Sequence, residues 1–388
     1  LGEVTAQNRK GNGTLNAQAK SLDRIAESPL VSVVVAVRNG ENYLDRTLLS
    51  VRQQRYPKVE IIVVDDGSTD STSQVARMHC ADDERIRLIQ SKPVGAGAAR
   101  NIGIKHALGD LICLVDGDDL VHPELLAAHV ERFLSGPFPV AAVWSLGVTI
   151  DQDDLILGRM LPFDAVTIRS VDGWALLPMV YRFFPSPSST TFLRSALIEI
   201  GGYNEDLPNG EDYDLLLRVV EHWRIGLVNR VLVGYRIVPG SRSSNFRLKL
   251  RVERSFFRDL NKRVGYIPFW VWRTSFAERY KNASWKSLQS GRKTWGLLYG
   301  VLAVSLDPTL LLRPNTFSQL FKLFGVGKEN LQNRSLRFTD DLVQFLDEEM
   351  NSHQRRQTLY ALITKWRYQR MVVAEESARS KLSLNARE

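Results

Sequence analysis

Cysteine is scarce in this chain: its 388 residues include two, Cys80 and Cys113, 33 positions apart. That spacing fits no zinc or thiol-redox motif, and a chain of this length needs no disulfide framework to hold a core. A reducing compartment and two small core thiols are expected. Long apolar runs are missing as well. The most apolar stretch, Thr294 to Leu306, is thirteen residues without a charge, ended by Asp307 and Pro308. It is too short to span a bilayer and fits a core helix or an interfacial one. Leu1 to Ser28 is polar. It lacks the apolar segment of a signal peptide and reads as a flexible tail over 1–28. The six histidines include no i, i+4 pair. H-E-x-x-H, G-x-S-x-G and the Walker lysine motif are absent, so zinc hydrolysis has no support. There is no internal repeat and no low-complexity tract.

What is present describes a globular chain. Hydrophobic residues make up 44% and charged residues 24%, which excludes wholesale disorder. The length suits two ordinary domains, or one large domain with an appendage. Net charge is +8, unevenly spread. Residues 1–240 sum to −6 and residues 241–388 to +14, so two regions with different partners are expected.

Short Val-rich runs at Leu30–Val37, Val59–Val64, Ile86–Gln90 and Leu111–Val115 read as buried strands. Helical spacing falls between them at Asn42–Gln54, Thr72–His79 and Ala98–Leu108. Alternation of this kind predicts an α/β layer with a mostly parallel sheet. In such sheets ligands bind beyond the carboxyl ends of the strands. Val140–Trp144 and Leu227–Val233 read as further strands, and Asp212–Glu221 as a helix. Pro185-Ser186-Pro187-Ser188-Ser189 reads as a loop. From about Ser241 helical patterns dominate, which places a boundary near 241–250. Phe338 to Ala378 reads as two helices with mixed charge.

Acidic residues gather at the expected strand ends. Asp65-Asp66-Gly67-Ser68-Thr69-Asp70 follows the second strand, and Asp116-Gly117-Asp118-Asp119 follows the fourth. A single acidic strand end can be a helix cap, and Asp70-Ser71 fits that reading. Capping needs one oxygen, however, and the second cluster has three carboxylates in four residues. Carboxylates spaced D-x-D repel unless a cation lies between them. Hard oxygen ligands suit Mg²⁺ or Mn²⁺, which usually share their coordination with substrate phosphates. A solvated turn is the plain alternative. Gly95-Ala96-Gly97-Ala98-Ala99-Arg100 imitates a dinucleotide fingerprint, but Arg100 replaces its last glycine and the motif follows the third strand. Arg100 offers a fork for a phosphate or carboxylate, or forms an ion pair with a strand-end aspartate. Gly210-Glu211-Asp212-Tyr213-Asp214 opens a helix. Acidic residues favour such a start through the macrodipole, and a carboxylate fixed there can also act as a general base.

Together these stretches resemble the family 2 glycosyltransferases with the GT-A fold. The matching segments are VSVVVAVRNGENYLDRTLLSVRQQ at 31–54, VEIIVVDDGSTDST at 59–72 and GAGAARNIGIKHALGDLICLVDGDD at 95–119. GGYNEDLPNGEDYDLLLRV at 201–219 matches too, and YRIVPGSRSS at 235–244 matches more loosely. The resemblance covers about 210 residues and does not extend through 245–388. It implies a GT-A domain over 29–240 and a basic, mostly helical region over 241–388. It further implies that Val37, Arg38 and Asn39 touch the nucleotide, that Asp66 binds its base, and that Arg100 helps hold it. Asp116 would lie near the ribose and the metal, and Asp118 would bind Mn²⁺ or Mg²⁺. Asp119 is open between the metal and a structural role. Asp212 would be the catalytic base with Glu211 beside it, and Arg242 with Ser241, Ser243 and Ser244 would approach the diphosphate. The implied reaction is inverting, metal-dependent transfer of a sugar from a nucleotide-diphosphate sugar to an acceptor hydroxyl. Glycan, polysaccharide or glycolipid synthesis is the implied setting. The alternative from another class is a non-catalytic nucleotide-sugar-binding or assembly protein that keeps the fold.

The basic region has its own signal. Residues 242–313 hold 15 Lys+Arg against 4 Asp+Glu, with Trp270, Trp272, Trp285 and Trp295 among them. Tryptophan beside Lys/Arg suits a segment lying on an anionic membrane, where a lipid-linked acceptor would be met. A helical subdomain with a solvated basic face is the competing reading, and nucleic acid is disfavoured. A cytoplasmic protein is expected, held at the cytoplasmic face of a membrane if this region binds lipid.

Overall fold

Val31–Val37 (VSVVVAV) forms the strand β1 at the middle of the sheet because both of its faces are covered, which suits a run of β-branched residues. The computed structural model describes residues 28–160, 172–181, 185–238, 246–264, 267–312, 338 and 359–385. The expected tail up to residue 27, Arg242 with Ser241, Ser243 and Ser244, and the first of the two helices expected after Phe338 lie outside these residues. Following β1 come α1 (Leu44–Arg52), β2 (Val59–Asp66), α2 (Thr72–Asp82), β3 (Ile86–Ser91), α3 (Ala96–His106) and β4 (Leu111–Asp116). Then come β5 (Leu120–Val121), α4 (Leu125–Ser135), β6 (Ala142–Ile150), β7 (Ile156–Arg159), α5 (Leu176–Tyr181), β8 (Thr190–Leu193), α6 (Arg194–Glu199), α7 (Glu211–His222) and β9 (Ile225–Arg236). Four described helices complete the chain: α8 (Phe246–Val264), α9 (Phe269–Gln289), α10 (Lys293–Leu306) and α11 (Leu359–Asn385).

The described strands make one nine-stranded sheet, ordered β3-β2-β1-β4-β8-β6-β9-β5 with β7 paired to β6. The first four strands are mutually parallel, as their alternation with helices predicts. Beyond β4 the sheet turns mixed: β8 runs antiparallel to both β4 and β6, while β6 and β9 are parallel. Register sets the height of the acidic residues. Val37 lies opposite Asp65, and Ala36 opposite Asp116. Asp65 and Asp66 therefore end β2 and Asp116 ends β4 at one edge of the sheet, while Asp118 and Asp119 lie in the loop before β5.

Close packing fixes the helix that carries Arg100. Gly103 of α3 faces β1, and a Cβ there would fall 2.2 Å from Val34 Cγ1. Only a residue without a side chain lets α3 sit at this depth. Gly103→Ala is expected to destabilise the fold by about 1–3 kcal/mol through overpacking. A urea midpoint equal to the parent's would show that α3 can lift without loss.

The C-terminal helices share the core of the sheet. Val252, Phe256, Phe257, Leu260, Val271, Tyr368 and Met371 join the same buried cluster as β1 and β4. Two buried contacts tie α11 down. The Glu375 carboxylate accepts the N–H groups of Leu176 (3.1 Å) and Leu177 (2.9 Å), which open α5 and have no partner within it. Arg379 donates to the carbonyls of Val220 (2.8 Å) and Glu221 (3.1 Å) at the end of α7.

Candidate active site

The carboxyl edge of the parallel strands is laced by short polar contacts. Asn39, at φ 51°, receives the Thr69 N–H on Oδ1 and gives its own N–H to Ser68 Oγ, both at 2.9 Å. Gly40 N–H donates to Thr72 Oγ1 at 2.8 Å. These three contacts tie the loops after β1 and β2 together. Val37 is buried between Gly40 and Gly117, and a Cβ on either glycine would come within 2.7 Å of Val37 Cγ2. Glycine between Asp116 and Asp118 is therefore required by the approach of the two loops. Arg38 is exposed and makes no hydrogen bond or ion pair among the described residues. Asp70 Oδ1 accepts the Thr72 N–H at 3.0 Å at the start of α2, while the N-cap itself is Ser71, whose side chain makes no cap hydrogen bond. Asp66 accepts Val94 N–H on one oxygen (2.7 Å) and Gly95 N–H on the other (3.0 Å), which pins the loop leading into α3. Each of those oxygens retains a second lone pair.

Arg100 gathers the rest. Its side chain is 5% exposed, and three carboxylates surround it. Nη2 lies 2.5 Å from Asp116 Oδ1, while Nη1 lies 3.3 Å from Glu211 Oε1 and 3.0 Å from Asp212 Oδ1. The Tyr203 ring covers the guanidinium at 5.3 Å. The contact to Asp212 is an ion pair without hydrogen-bond alignment, so Asp212 Oδ1 has no hydrogen-bond partner. The ion-pair alternative for Arg100 is thus seen, and it joins the end of β4 to the start of α7. Gly210, at φ 79°, precedes α7 and lets Phe256 of α8 pack against that turn.

Crowding shows in the proton affinities. Burial pushes the Asp212 carboxyl up to about 7; Arg100 opposes this, and the charges of Glu211 and Asp116 add to it. Burial, then the neighbouring Asp116, pushes Asp118 up to about 6. Asp119 is raised further by burial and by both of these neighbours. The carboxylate is fully buried, and each oxygen accepts one bond: Oδ2 from the Ser188 hydroxyl at 2.5 Å and Oδ1 from the Arg236 N–H at 2.8 Å. Ser188 Oγ also accepts the Asp116 N–H at 3.0 Å. Asp119 and Ser188 therefore shape the loop, leaving Asp116 and Asp118 as its outward pair.

Among the described residues no three His, Cys, Asp or Glu side chains form a metal-holding group. The donor chemistry still suits a hard divalent cation. Asp118 is half-buried, its charge is disfavoured by burial and by Asp116, and among the described residues its carboxylate receives no side-chain donor. Two carboxylates with water and substrate phosphate are an ordinary Mg²⁺ set.

Three contributors escaped sequence reasoning: Ser188, Tyr203 and Arg236. The Pro-Ser-Pro-Ser-Ser run signals a turn, and it becomes a 3₁₀ turn over Pro187–Ser189. Nothing in that run points to the Asp116 loop. Arg236 ends β9, and its Nε donates to the Asp118 carbonyl at 2.7 Å.

Residues 32–181 match the family model of glycosyl transferase family 2. Over these residues the chain is similar to that family. The chain is 25% identical to chondroitin synthase of Escherichia coli over 268 residues, 69% of this chain and 36% of that protein. It is 41% identical to putative glycosyltransferase EpsH of Bacillus subtilis over 98 residues, 25% of this chain and 28% of that protein. The chain thus spans about a third of the length of these curated relatives. Among solved structures it is similar to S. aureus TarS 1–349 in complex with UDP-GlcNAc, at TM-score 0.48 and 17% identity, covering 73% of this chain and 91% of that one. It is also similar to the mannosyltransferase PcManGT of Pyrobaculum calidifontis in complex with GDP-Man and Mn²⁺, at TM-score 0.46 and 17% identity, covering 98% and 99%. The matched segment contains Val37, Arg38, Asn39, Asp66, Arg100, Asp116 and Asp118. Glu211, Asp212 and Arg236 lie beyond it and reach the same edge through the ion pairs of Arg100 and the contact to Asp118.

Proposed function

We propose that the protein is an inverting, metal-dependent glycosyltransferase that moves a sugar from a nucleotide-diphosphate sugar to an acceptor hydroxyl. One observation carries this reading. Arg100 binds the carboxylates of both the Asp116 loop and the α7 start, so a donor site and a raised-pKa carboxyl share one edge. Residues 29–240 supply the transfer unit, and 241–388 supply helical support and the acceptor side. Val37, Arg38 and Asn39 line the nucleotide. Asp66 holds the Val94–Gly95 loop against the base with lone pairs to spare. Arg100 holds the nucleotide side in place through Asp116, and Arg242 approaches the diphosphate. Asp116 and Asp118 would hold Mn²⁺ or Mg²⁺, which offsets charge on the leaving diphosphate when bound.

Asp212 takes the proton of the acceptor hydroxyl. That oxygen attacks the anomeric carbon from the face opposite the diphosphate, the bond to the diphosphate breaks, and the configuration inverts. Glu211 remains on Arg100 and keeps α7 in register with the donor. A growing glycan or lipid-linked sugar is the acceptor class, supported by relatives named as chondroitin and hyaluronan synthases. The basic 242–313 region brings the enzyme to an anionic lipid surface.

A thermal-shift screen of nucleoside diphosphates with Mn²⁺, Mg²⁺ or EDTA tests the donor site. A ligand at 100 times its Kd stabilises by about 2.7 kcal/mol. The expected result is a shift with one base family that vanishes in EDTA. Asp118→Asn is expected to remove the metal-dependent part of that shift. Unchanged metal dependence in this variant would sink the metal assignment, and no shift with any nucleotide would sink the donor site.

A further inference from the structure

Helix α10 is apolar on both sides. Its inner side packs on α9 through small residues. A Cβ on Gly296 would fall 2.1 Å from Leu288 Cδ2, and Ser284 Oγ donates to the Gly296 carbonyl at 2.6 Å. Tyr299 stacks on Tyr280 with ring centroids 6.0 Å apart. The outer side faces water. Trp295, Leu297, Leu298, Val301 and Leu302 are 46, 57, 48, 66 and 37% exposed. Spacing of three and four residues places them on one continuous stripe. A water-facing helix side normally carries charge, and here there is none between Lys293 and Asp307. A contiguous exposed apolar face of this kind marks an interaction surface.

Charge selects the occupant. From Arg279 to Leu306 the chain has five cations and no carboxylate. Lys286, Arg292 and Lys293 among them are exposed at the junction of α9 and α10. A second copy of the chain docking through the same face would set these cations against their own kind. An anionic bilayer satisfies both features, acyl chains for the stripe and headgroup phosphates for the cations. Length decides the posture. Fourteen residues at about 1.5 Å each give about 21 Å, short of the roughly 30 Å hydrocarbon core. No described helix is long and apolar enough to cross a membrane.

We propose that the outer face of α10, Trp295 to Leu302 with Arg292 and Lys293 at its entry, lies in the interface of an anionic lipid bilayer. The inference rests on the lipid-surface part of the proposed function and narrows it to one helix face; it does not depend on the transfer chemistry.

Sedimentation of the full chain with vesicles tests it, using phosphatidylglycerol mixed into phosphatidylcholine against phosphatidylcholine alone. The protein is expected to pellet with the anionic vesicles and to be released by high salt. Leu298→Asp with Val301→Asp, both at exposed positions, is expected to weaken partitioning by about tenfold or more. Arg292→Glu with Lys293→Glu is expected to weaken it in a salt-dependent way. Both pairs are expected to keep the nucleotide-induced thermal shift. Pelleting of the Leu298/Val301 variant like the parent would overturn the inference and assign the contact to another part of 242–313. No pelleting of the parent, or equal pelleting with neutral vesicles, would overturn it together with the lipid-surface reading. A lipid-free dimer that dissociates in the Leu298/Val301 variant would give the face to a second copy and overturn it as well. Loss of the nucleotide shift with lipid binding intact would leave this inference standing and overturn the donor reading alone.

Discussion

Asp212→Asn is expected to lower turnover by about 10²-fold or more while leaving donor affinity nearly intact, because general-base assistance is worth roughly 10²–10⁴-fold. The position supports a large effect. Asp212 stands in the first turn of α7 with one oxygen lacking a hydrogen-bond partner and its side chain 24% exposed. Its proton affinity is raised to about 7, first by burial. A base works in its deprotonated form, so the sign of the pH effect follows. Acidification below about 7 protonates Asp212, and kcat/KM is expected to fall about tenfold per pH unit there. The Asn variant should lose that acid limb along with the rate. Arg100 remains paired to Asp116 and Glu211 in the variant, so the donor side keeps its shape. Steady-state rates with saturating donor, measured across pH, check both parts. Near-normal turnover would move the base to Glu211 or elsewhere. A retained acid limb in the variant would separate the pH effect from Asp212.

Much of this edge was legible in the sequence because local patterns decide it. Four Val-rich runs alternating with helical spacing dictate parallel strands, and parallel strands place their carboxyl ends together. The Asp65–Asp66 and Asp116–Asp119 clusters were found by that logic, and the register puts them level. The start of α7 was legible as a helix opening with acidic residues. Its meeting with Asp116 was not, since that contact runs through Arg100 across more than a hundred residues. Ser188 escaped for the same reason. Its hydroxyl serves Asp116 and Asp119 only because β8 pairs antiparallel with β4, and nothing in PSPSS specifies that partner. The burial of the C-terminal helices was masked by their charge. Glu375 lies in a stretch that reads only as helix of mixed charge, yet it is fully buried as a cap for α5. The apolar run of α10 was visible at once, but its exposure depends on Gly296 and Ala303 being the side that packs inward.

Arg236 is the residue whose loss is expected to damage the fold most. Its side chain is fully buried, and it joins four parts of the molecule. Its N–H holds Asp119, its Nε holds the Asp118 carbonyl, and its Nη1 donates to the Asp151 carbonyl. Its Nη2 pairs with Asp154, whose other oxygen is held by Arg46 at 2.9 Å. The Tyr43 ring lies 5.0 Å from the guanidinium carbon. Asp154 sits at φ 70°, a backbone state that a non-glycine residue keeps only when its surroundings fix it. Arg236→Ala removes the guanidinium, leaves two carbonyls without these donors and strips one charge partner from Asp154. A polar group left without its donor costs about 1–3 kcal/mol when buried, and Asp154, 23% exposed and still held by Arg46, adds less. The urea midpoint is expected to fall accordingly, with the slope unchanged. Arg236→Lys separates shape from charge. An ammonium keeps the positive charge but cannot serve Asp118, Asp151 and Asp154 as a planar fork does. That variant is expected to retain most of the stability, while the metal-dependent thermal shift with nucleotide weakens by about tenfold in affinity. A Lys variant with parental nucleotide affinity would mean that Arg236 supports the fold alone and does not set the Asp118 loop. An Ala variant within about 0.5 kcal/mol of the parent, the range of an ordinary surface substitution, would show that the junction holds without it.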